Sequence, residues 1–243
     1  MRVPRLYTAQ PLKTNTLVHL DKDASRYLGS VLRMSKGQSV VLFNGQGGEF
    51  QGELVHLTKN QATVSVLQSK YEDRESPLKV HLVIGISRGE RMDWVIQKAT
   101  ELGVSEITPV FTERTEVKLS GPRLEKKQNH WQQIAISACE QSHRNIVPTV
   151  HGCSTLSSWL EHNLEGLKIV LHHRTDQKLC AMDKPNQGVI LLVGPEGGLS
   201  DHEINLAENQ GYNPLMLGPR VLRTETAPLA AISIMQSLWG DMG

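Results

Sequence analysis

The amino-acid sequence predicts an α/β protein in which a small β-rich unit precedes a larger unit built on a mostly parallel sheet. Before residue 70, three runs rich in β-branched residues are separated by turn-forming segments. From residue 79 onward, short apolar runs alternate with stretches of helical periodicity, which is typical of a parallel sheet covered by helices. A polar segment at residues 69–77 separates the two patterns. We therefore predict one domain at residues 1–72 and a second at residues 73–243.

The first unit is expected to contain one helix and three strands. The helix, at residues 21–33, begins near Asp21 or Asp23 and has apolar residues at helical spacing. The strands are predicted at residues 39–43, 49–57 and 62–67. These elements predict a meander or a small barrel.

The second unit is expected to alternate strands with helices. The strands are predicted at residues 80–86, 106–111, 167–172, 189–193 and 213–217, and the helices at residues 92–102, 122–141, 154–164, 201–209 and 226–238. Ser200 followed by Glu203 has the pattern of a capping box at the start of one helix. Lys98 and Glu101, three residues apart, are expected to pair on the surface of another.

Composition excludes several classes of protein. The 243 residues have 26 basic and 25 acidic side chains and a formal net charge of +1, so the overall charge does not indicate a polyanionic partner. Cys139, Cys153 and Cys180 are odd in number and form no Cys-x-x-Cys pair, which predicts reduced thiols without a structural zinc site. No signal peptide or membrane span is recognisable. We therefore expect a soluble, cytoplasmic protein without a membrane partner.

Basic residues are concentrated before residue 35. Six of them stand there against two aspartates, namely Arg2, Arg5, Lys13, Lys22, Arg26 and Arg33 against Asp21 and Asp23. This imbalance suits a surface that faces nucleic acid, and an ordinary solvated surface is equally compatible with it.

Two loops that each follow an apolar run are predicted to form one ligand site. The first reads Gly194-Pro195-Glu196-Gly197-Gly198, and the second begins at Gly218-Pro219-Arg220. Ligands of open α/β sheets bind outside the carboxyl ends of the strands, where loop N–H groups are free. The first loop fits neither the phosphate-binding nor the dinucleotide-binding glycine pattern. It therefore indicates a nucleoside-like or neutral ligand, or else an ordinary strand-to-helix turn.

The second loop leads into an apolar helix. Thr224 or Thr226 is expected to cap this helix, and Pro228 is tolerated only in its first turn. Capping requires neither Arg223 nor Glu225, and a cation at a helix N-terminus is mildly unfavourable. Arg223 therefore indicates an anionic target.

A third strand-to-helix loop contains Arg88 and Arg91, which are candidates for phosphate contacts. His172 and His173 end a predicted strand, but no third metal ligand is close to them in sequence. We expect no metal site.

The two ligand loops resemble the C-terminal motifs of the SPOUT methyltransferases, specifically of the RsmE family, which methylates N3 of a uridine in small-subunit (16S) ribosomal RNA. The similar segments are Leu192-Val193-Gly194-Pro195-Glu196-Gly197-Gly198, Leu217-Gly218-Pro219-Arg220-Val221-Leu222-Arg223-Thr224-Glu225-Thr226-Ala227, Arg2-Val3-Pro4-Arg5, Arg74-Glu75-Ser76-Pro77 and Ser87-Arg88-Gly89-Glu90-Arg91. The resemblance implies a PUA-like N-terminal β-barrel for RNA contacts, a C-terminal α/β domain tied in a trefoil knot, and a homodimer. It also implies S-adenosylmethionine as methyl donor and S-adenosylhomocysteine as product. The expected substrate is small-subunit ribosomal RNA, and both free RNA and the assembled 30S subunit remain open.

The resemblance also implies which residues form the site. The cofactor pocket is expected to be lined by His172, Gly194, Pro195, Glu196, Gly197, Leu217, Gly218, Val221, Leu222, Arg223, Thr224 and Ala227. Uridine N3 is mostly protonated at neutral pH, so methyl transfer needs a base or donors that stabilise negative charge on O2 and O4. We expect Arg223 to stabilise that charge, and Glu225 or Glu196 to act as base or to orient the uracil. The target base must be unpaired or flipped out, and RNA contacts are expected from Arg2, Arg5, Arg26, Arg33, Arg88 and Arg91.

Two other functions remain open at the level of sequence. One is a SPOUT-like methyltransferase that acts on transfer RNA or large-subunit ribosomal RNA. The other is a non-catalytic RNA-binding or ribosome-assembly module whose loops hold a nucleotide without chemistry.

Overall fold

The computed structural model describes residues 3–172, 175 and 177–243. The chain divides into two compact units, one formed by Met1–Glu75 with Cys139–Val147 and the other by Ser76–Ala138 with Pro148–Gly243. Arg2 and His173 lie outside the described residues. None of the helices in the described part of the chain combines the length and apolar character needed to cross a membrane.

The first unit is built on one five-stranded sheet. Its strands are β1 (Arg5–Tyr7), β2 (Leu17–Leu20), β3 (Ser39–Phe43), β4 (Glu49–Leu57) and β5 (Ala62–Lys70), in the order β1-β3-β4-β5-β2. The β3–β4, β4–β5 and β5–β2 pairs are antiparallel, whereas β1 runs parallel to β3. Register shifts in β4, at Gln51/Gly52 and Leu54/His56, bend the strand and curl the sheet. The predicted β-rich unit is confirmed, with two additional short edge strands.

The helix of this unit is shorter and less regular than the sequence predicts. Helix α1 (Lys22–Arg26) begins at Asp21, whose carboxylate accepts the Ala24 N–H at 2.8 Å. The chain then continues as a π-helical turn, Tyr27–Val31, in which the Leu32 N–H donates to the Tyr27 carbonyl. Arg33, with a φ of 53°, ends the helical path.

Arg5 was predicted to contact RNA, but the structure places it in the interior of the first unit. The residue is buried, and its guanidinium donates to the carbonyls of Cys139 and Arg144, at 3.0 and 2.9 Å, and to the side chain of Asn145. The Tyr7 N–H similarly donates to Glu140 at 2.9 Å. Because burying an arginine requires such partners, Arg5 serves the packing of its own unit and does not form part of an exposed RNA-binding surface.

The second unit contains the predicted parallel sheet. Its strands are β6 (Val80–Gly85), β7 (Glu106–Phe111), β8 (Thr149–Val150), β9 (Ser154–Thr155), β10 (Leu167–Leu171), β11 (Val189–Val193) and β12 (Asn213–Leu215). They have the order β12-β10-β11-β6-β7-β8, with β9 also pairing with β7, and every described pair is parallel. The predicted α/β class is confirmed. The trefoil knot remains an expectation from the resemblance.

Helices cover both faces of this sheet. They are α2 (Glu90–Glu101), α3 (Gly121–Ser142), α4 (Leu156–Leu160), α5 (Asp201–Asn209) and α6 (Thr226–Trp239). Leu82 and Ile84 belong to a core that includes residues of α2, α3 and α6, whereas Val83 belongs to a second core with residues of α4 and α5. This alternation follows from the pleat of the strand and explains why successive residues of β6 are apolar on both faces.

The helix ends confirm some predictions and correct one. The Ser200–Glu203 capping box is present at α5, and Lys98 pairs with Glu101 at 2.7 Å. At α6, neither predicted threonine caps the helix, because its N-cap is Glu225, which already has helical backbone angles and makes no side-chain cap hydrogen bond. The N–H groups of Thr226 and Ala227 donate to the Arg223 carbonyl instead.

Candidate functional site

A cavity of about 280 Å³ lies at the carboxyl edge of the parallel sheet, where β10, β11 and β12 end. Its size is close to the lower limit for pockets that bind small molecules and cofactors, which is ~300 Å³. It is lined by Arg114, Leu171, His172, Val193, Gly194, Pro195, Glu196, Gly197, Gly198, Leu199, Asp201, Ile204, Leu215, Met216, Leu217, Gly218, Arg220, Val221, Leu222, Thr224 and Ala227. Backbone and apolar side chains therefore form most of its wall.

Glycines shape the loop between β11 and α5. A Cβ atom on Gly194 would lie 2.7 Å from the Leu199 nitrogen, so no larger residue fits without moving the loop. The turn closes through the Gly198 N–H, which donates to the Pro195 carbonyl at 2.8 Å, and Gly198 has a φ of 68°. Gly85, at the end of β6, allows Pro195 to approach so closely that an added Cβ would lie 2.5 Å from the Pro195 nitrogen. The loop is thus fixed directly on the end of the sheet.

Arg114 holds this loop from the other side. It lies in the segment that follows β7, and its Nη1 donates to the Gly197 and Leu199 carbonyls at 2.8 and 3.2 Å. Glu203 adds a second connection, because its carboxylate accepts the N–H groups of Glu113, at 2.8 Å, and of Ser200, at 2.9 Å. Sequence reasoning missed Arg114, since it lies in a polar loop without a motif.

Glu196 is held by the loop that follows β6. Its Oε1 accepts the Arg88 N–H at 2.8 Å and an Arg91 guanidinium N–H at 3.0 Å. Partial burial opposes the charge, but the Arg88 and Glu196 N–H groups and the Arg91 side chain together hold the pKa of Glu196 below its usual value. A carboxylate with a lowered pKa is a weak proton acceptor, so the geometry favours the orienting role for Glu196 over the role of base.

Arg88 and Arg91 are both exposed, as a phosphate contact requires, but each already has a carboxylate partner. Arg88 pairs with Glu116 at 2.9 Å, and Arg91 pairs with Glu196 at 3.0 Å. A phosphate group would therefore compete with these two carboxylates.

The loop between β12 and α6 forms the opposite wall of the cavity. Gly218 has a φ of 75°, which favours glycine, and Val221 is 88% exposed. Among the described residues, eleven of the twelve predicted cofactor residues line the cavity, and Arg223 does not. Arg223 is exposed in the same loop, and Glu225 is partly buried at the start of α6.

His172 lies at the end of β10, where its N–H donates to the Leu215 carbonyl at 3.2 Å. Its side chain lies near Glu208, with Nε2 3.8 Å from a carboxylate oxygen. The residue therefore joins the ends of β10 and β12 beside the cavity.

Comparison with known proteins defines the class of protein. Residues 74–236 match the model of an RNA methyltransferase domain, and residues 20–67 match the model of an RNA methyltransferase PUA domain. The fold and its glycine-lined cavity are thus those of a two-domain RNA methyltransferase.

Individual relatives narrow this class. A ribosomal RNA small subunit methyltransferase E from Buchnera aphidicola is 36% identical over 242 residues, covering 99% of this chain and 98% of the relative. The protein of the same name from Neisseria gonorrhoeae, solved bound to S-adenosyl methionine, is 40% identical with a TM-score of 0.95 and full coverage of both chains. A Legionella pneumophila protein solved with bound cofactor SAM is 41% identical with a TM-score of 0.96, covering 99% of this chain and 100% of the other. The chain belongs to the ribosomal RNA small subunit methyltransferase E family.

Proposed function

We propose that this protein transfers a methyl group from S-adenosylmethionine to N3 of a uridine in small-subunit ribosomal RNA. The observation that carries the proposal is the cavity at the carboxyl edge of the sheet, formed by two glycine-bearing loops in a chain of this methyltransferase family. Full-length relatives with 40% and 41% identity were solved with the methyl donor bound.

The residues of the cavity fit this cofactor. Apolar side chains, including Val193, Leu215 and Leu222, offer a surface for a flat adenine ring, while loop N–H and carbonyl groups are available for hydrogen bonds. A Cβ atom on Gly194 or Gly197 would press against other parts of the protein, so these glycines fix the shape of the loop that lines the cavity. When bound, S-adenosylmethionine supplies an activated methyl group and leaves as S-adenosylhomocysteine, so the reaction requires no metal.

The chemistry of the acceptor defines what the protein must do. The N3 proton of uridine must leave as the methyl group arrives, and negative charge develops on O2 and O4. We assign the stabilisation of this charge to Arg223, whose exposed guanidinium extends from the cavity loop. We propose Glu225 as the base that takes the proton and Glu196 as the residue that holds the Arg88 and Arg91 loop beside the substrate.

We assign RNA binding to exposed basic side chains, two in the first unit and two in the second. Arg26 and Arg33 are exposed in the first unit, and Arg88 and Arg91 are exposed in the second. Such residues neutralise phosphates and position the RNA without reading its sequence. We propose that residues 1–72 supply RNA affinity and residues 73–243 supply catalysis. We further propose that the protein acts as a cytoplasmic homodimer on the assembled 30S subunit.

Radioactive methyl transfer tests the proposal. Purified protein and S-adenosylmethionine with a labelled methyl group are incubated separately with small subunits, large subunits and transfer RNA, all from cells that lack this activity. Label is expected in the RNA of the small subunit alone. Label in large-subunit RNA or transfer RNA would indicate the alternative methyltransferase, and cofactor binding without labelling would indicate a non-catalytic module.

A further inference from the structure

Two histidines and a glutamate converge at the amino-terminal edge of the parallel sheet, away from the cavity at its carboxyl edge. His81 and Glu106 are register partners at the start of β6 and β7, and His151 directly follows β8. The His151 Nε2 lies 2.7 Å from a Glu106 carboxylate oxygen, and the His81 Nδ1 lies 4.0 Å from the same oxygen. One ligand atom from each residue lies within 4.8 Å of the other two.

The surroundings orient one of these ligands. The other ring nitrogen of His81, Nε2, lies 2.8 Å from the hydroxyl of buried Thr108. When this nitrogen donates to the hydroxyl, the Nδ1 lone pair points to the side of Glu106. The indole of Trp159 packs edge-on against the His81 ring, with centroids 5.1 Å apart. Metal-binding histidines are typically fixed in this way, with the second nitrogen hydrogen-bonded and the ring packed.

We propose that His81, Glu106 and His151 form a binding site for a divalent transition metal of the Zn²⁺ class. Two imidazoles and one carboxylate, with a water molecule in the fourth position, are a donor set that Zn²⁺ prefers. Ligand atoms in a tetrahedral zinc site are about 3.3 Å apart, as bonds of about 2.0–2.1 Å require. The observed separations of 2.7 and 4.0 Å bracket this value. Glu106 and His151 are partly exposed, so small side-chain movements bring all three atoms into range.

The position of the site defines its role. The three ligands come from β6, β7 and the segment after β8, whereas the methyl-transfer cavity is at the opposite ends of the strands. A bound ion would join these three segments and stabilise the folded state without entering the reaction. The sequence pattern predicts no metal site, because the cysteines form no Cys-x-x-Cys pair and no third ligand is close in sequence to His172 and His173. The three ligands proposed here are far apart in sequence and are brought together by the sheet register.

The test is metal titration of the full chain. After treatment with a chelator and dialysis, the protein is titrated with Zn²⁺ by calorimetry and with Co²⁺ by visible absorption. We expect one equivalent to bind, the Co²⁺ complex to have the d–d bands of a four-coordinate ion without thiolate charge-transfer bands, and Zn²⁺ to raise the melting temperature. Glu106→Gln and His151→Ala, at partly exposed positions, are each expected to weaken binding at least about tenfold, and Thr108→Val about ten- to a hundredfold.

His162→Ala is the matched control, because His162 also packs against Trp159, with ring centroids 5.5 Å apart, but is not one of the three ligands. Cys180→Ser removes an exposed thiol that could bind zinc without any site. Both variants are expected to bind Zn²⁺ like the wild type. The proposal is overturned if no stoichiometric binding occurs, if Glu106→Gln and His151→Ala bind as tightly as wild type, or if Cys180→Ser abolishes binding.

Discussion

The guanidinium of Arg114 donates to the carbonyl of Gly197 at 2.8 Å and thereby joins the segment after β7 to the glycine-rich loop after β11. Both residues line the cavity, and an added Cβ on Gly197 would lie 3.1 Å from the Cβ of Arg114. The two backbones therefore approach closely, and the loop conformation depends on a charged hydrogen bond as well as on its own glycines. This dependence makes Arg114 a positioning residue for the cofactor loop.

Replacing Arg114 is expected to weaken cofactor binding more than catalysis. Arg114→Ala removes a charged hydrogen bond worth ~1.5–3 kcal/mol. We therefore expect the KM for S-adenosylmethionine to rise at least about tenfold, while kcat changes by less than about threefold. Arg114→Lys should recover part of the affinity, and exposed Arg123→Ala is the control. A fall in kcat with an unchanged KM would contradict the positioning role.

Glu196 is expected to tolerate loss of its charge better than loss of its hydrogen bonds. Glu196→Gln keeps an oxygen that can accept the Arg88 N–H, so we expect kcat to fall by less than about tenfold, whereas Glu196→Ala should lose more. A general base would behave differently, because Gln cannot accept the proton and the loss would reach ~10²–10⁴ in both variants. Steady-state kinetics over a range of pH distinguishes the two roles.

Charge reversal in the first unit is expected to weaken RNA binding selectively. In the double variant Arg26→Glu and Arg33→Glu, we expect a higher Kd for small-subunit RNA and a smaller dependence of binding on salt, because fewer counterions are released. The affinity for S-adenosylmethionine should not change. Exposed Lys184→Glu is the control for a general charge effect. Equal losses of RNA and cofactor affinity would argue against separate roles for the two regions.

Asp93 connects α2 to α3 through three donors, and its replacement is expected to destabilise the second unit. Its carboxylate accepts hydrogen bonds from Lys127 at 2.9 Å, His130 at 2.8 Å and Trp131 at 3.1 Å. Asp93→Asn keeps one acceptor oxygen and loses the charge. We therefore expect the free energy of unfolding, measured by urea denaturation near neutral pH, to fall by ~1–2 kcal/mol. Exposed Asp183→Asn is the control.

The difference in free energy of unfolding between wild type and Asp93→Asn is predicted to depend on pH. Burial acts to raise the pKa of Asp93, but hydrogen bonds from His130 and Lys127 outweigh it and hold the pKa below its usual value. The charged form therefore stabilises the fold above the unfolded-state pKa of about 3.9, and this contribution is lost as the pH falls through the lower folded-state value. The difference in free energy of unfolding between wild type and Asp93→Asn should have its largest value at about pH 6 and should shrink below about pH 4. A constant difference over this range would contradict the assignment.

Much of the fold could be predicted from the sequence, because its signals are local. The longer parallel strands are rich in apolar residues, as in Val189–Val193, and the Ser200–Glu203 capping box and the Lys98–Glu101 pair depend only on spacing. Strands β1, β2, β8 and β9, of two to four residues, were missed because they are too short to show a period. The helix predicted at residues 154–164 is α4 (Leu156–Leu160), which follows β9. The π-helical turn after α1 was missed because its apolar pattern is the same as that of a longer α-helix.

The candidate site was predictable where a motif marks it and not where tertiary contacts build it. The two glycine-bearing loops indicated one crevice, and the structure brings both to one cavity. Arg5 shows the limit of composition, since a basic N-terminal segment gives no indication that Cys139, Arg144 and Asn145 surround this side chain. Arg114 shows the same limit, because its carbonyl partners are more than 80 residues away in the sequence.

The central claim is methylation of one uridine at N3, and mapping of reverse-transcription stops tests it most directly, because a methyl group on N3 blocks base pairing. Small subunits from cells that lack the activity are incubated with S-adenosylmethionine and either wild type or Arg223→Ala. We predict one new stop at a uridine of the small-subunit RNA with wild type, and a stop reduced ~10²-fold or more with Arg223→Ala, as expected for the loss of a charge-stabilising donor. Methyl transfer without a stop at any uridine, or an undiminished stop with Arg223→Ala, would contradict the account.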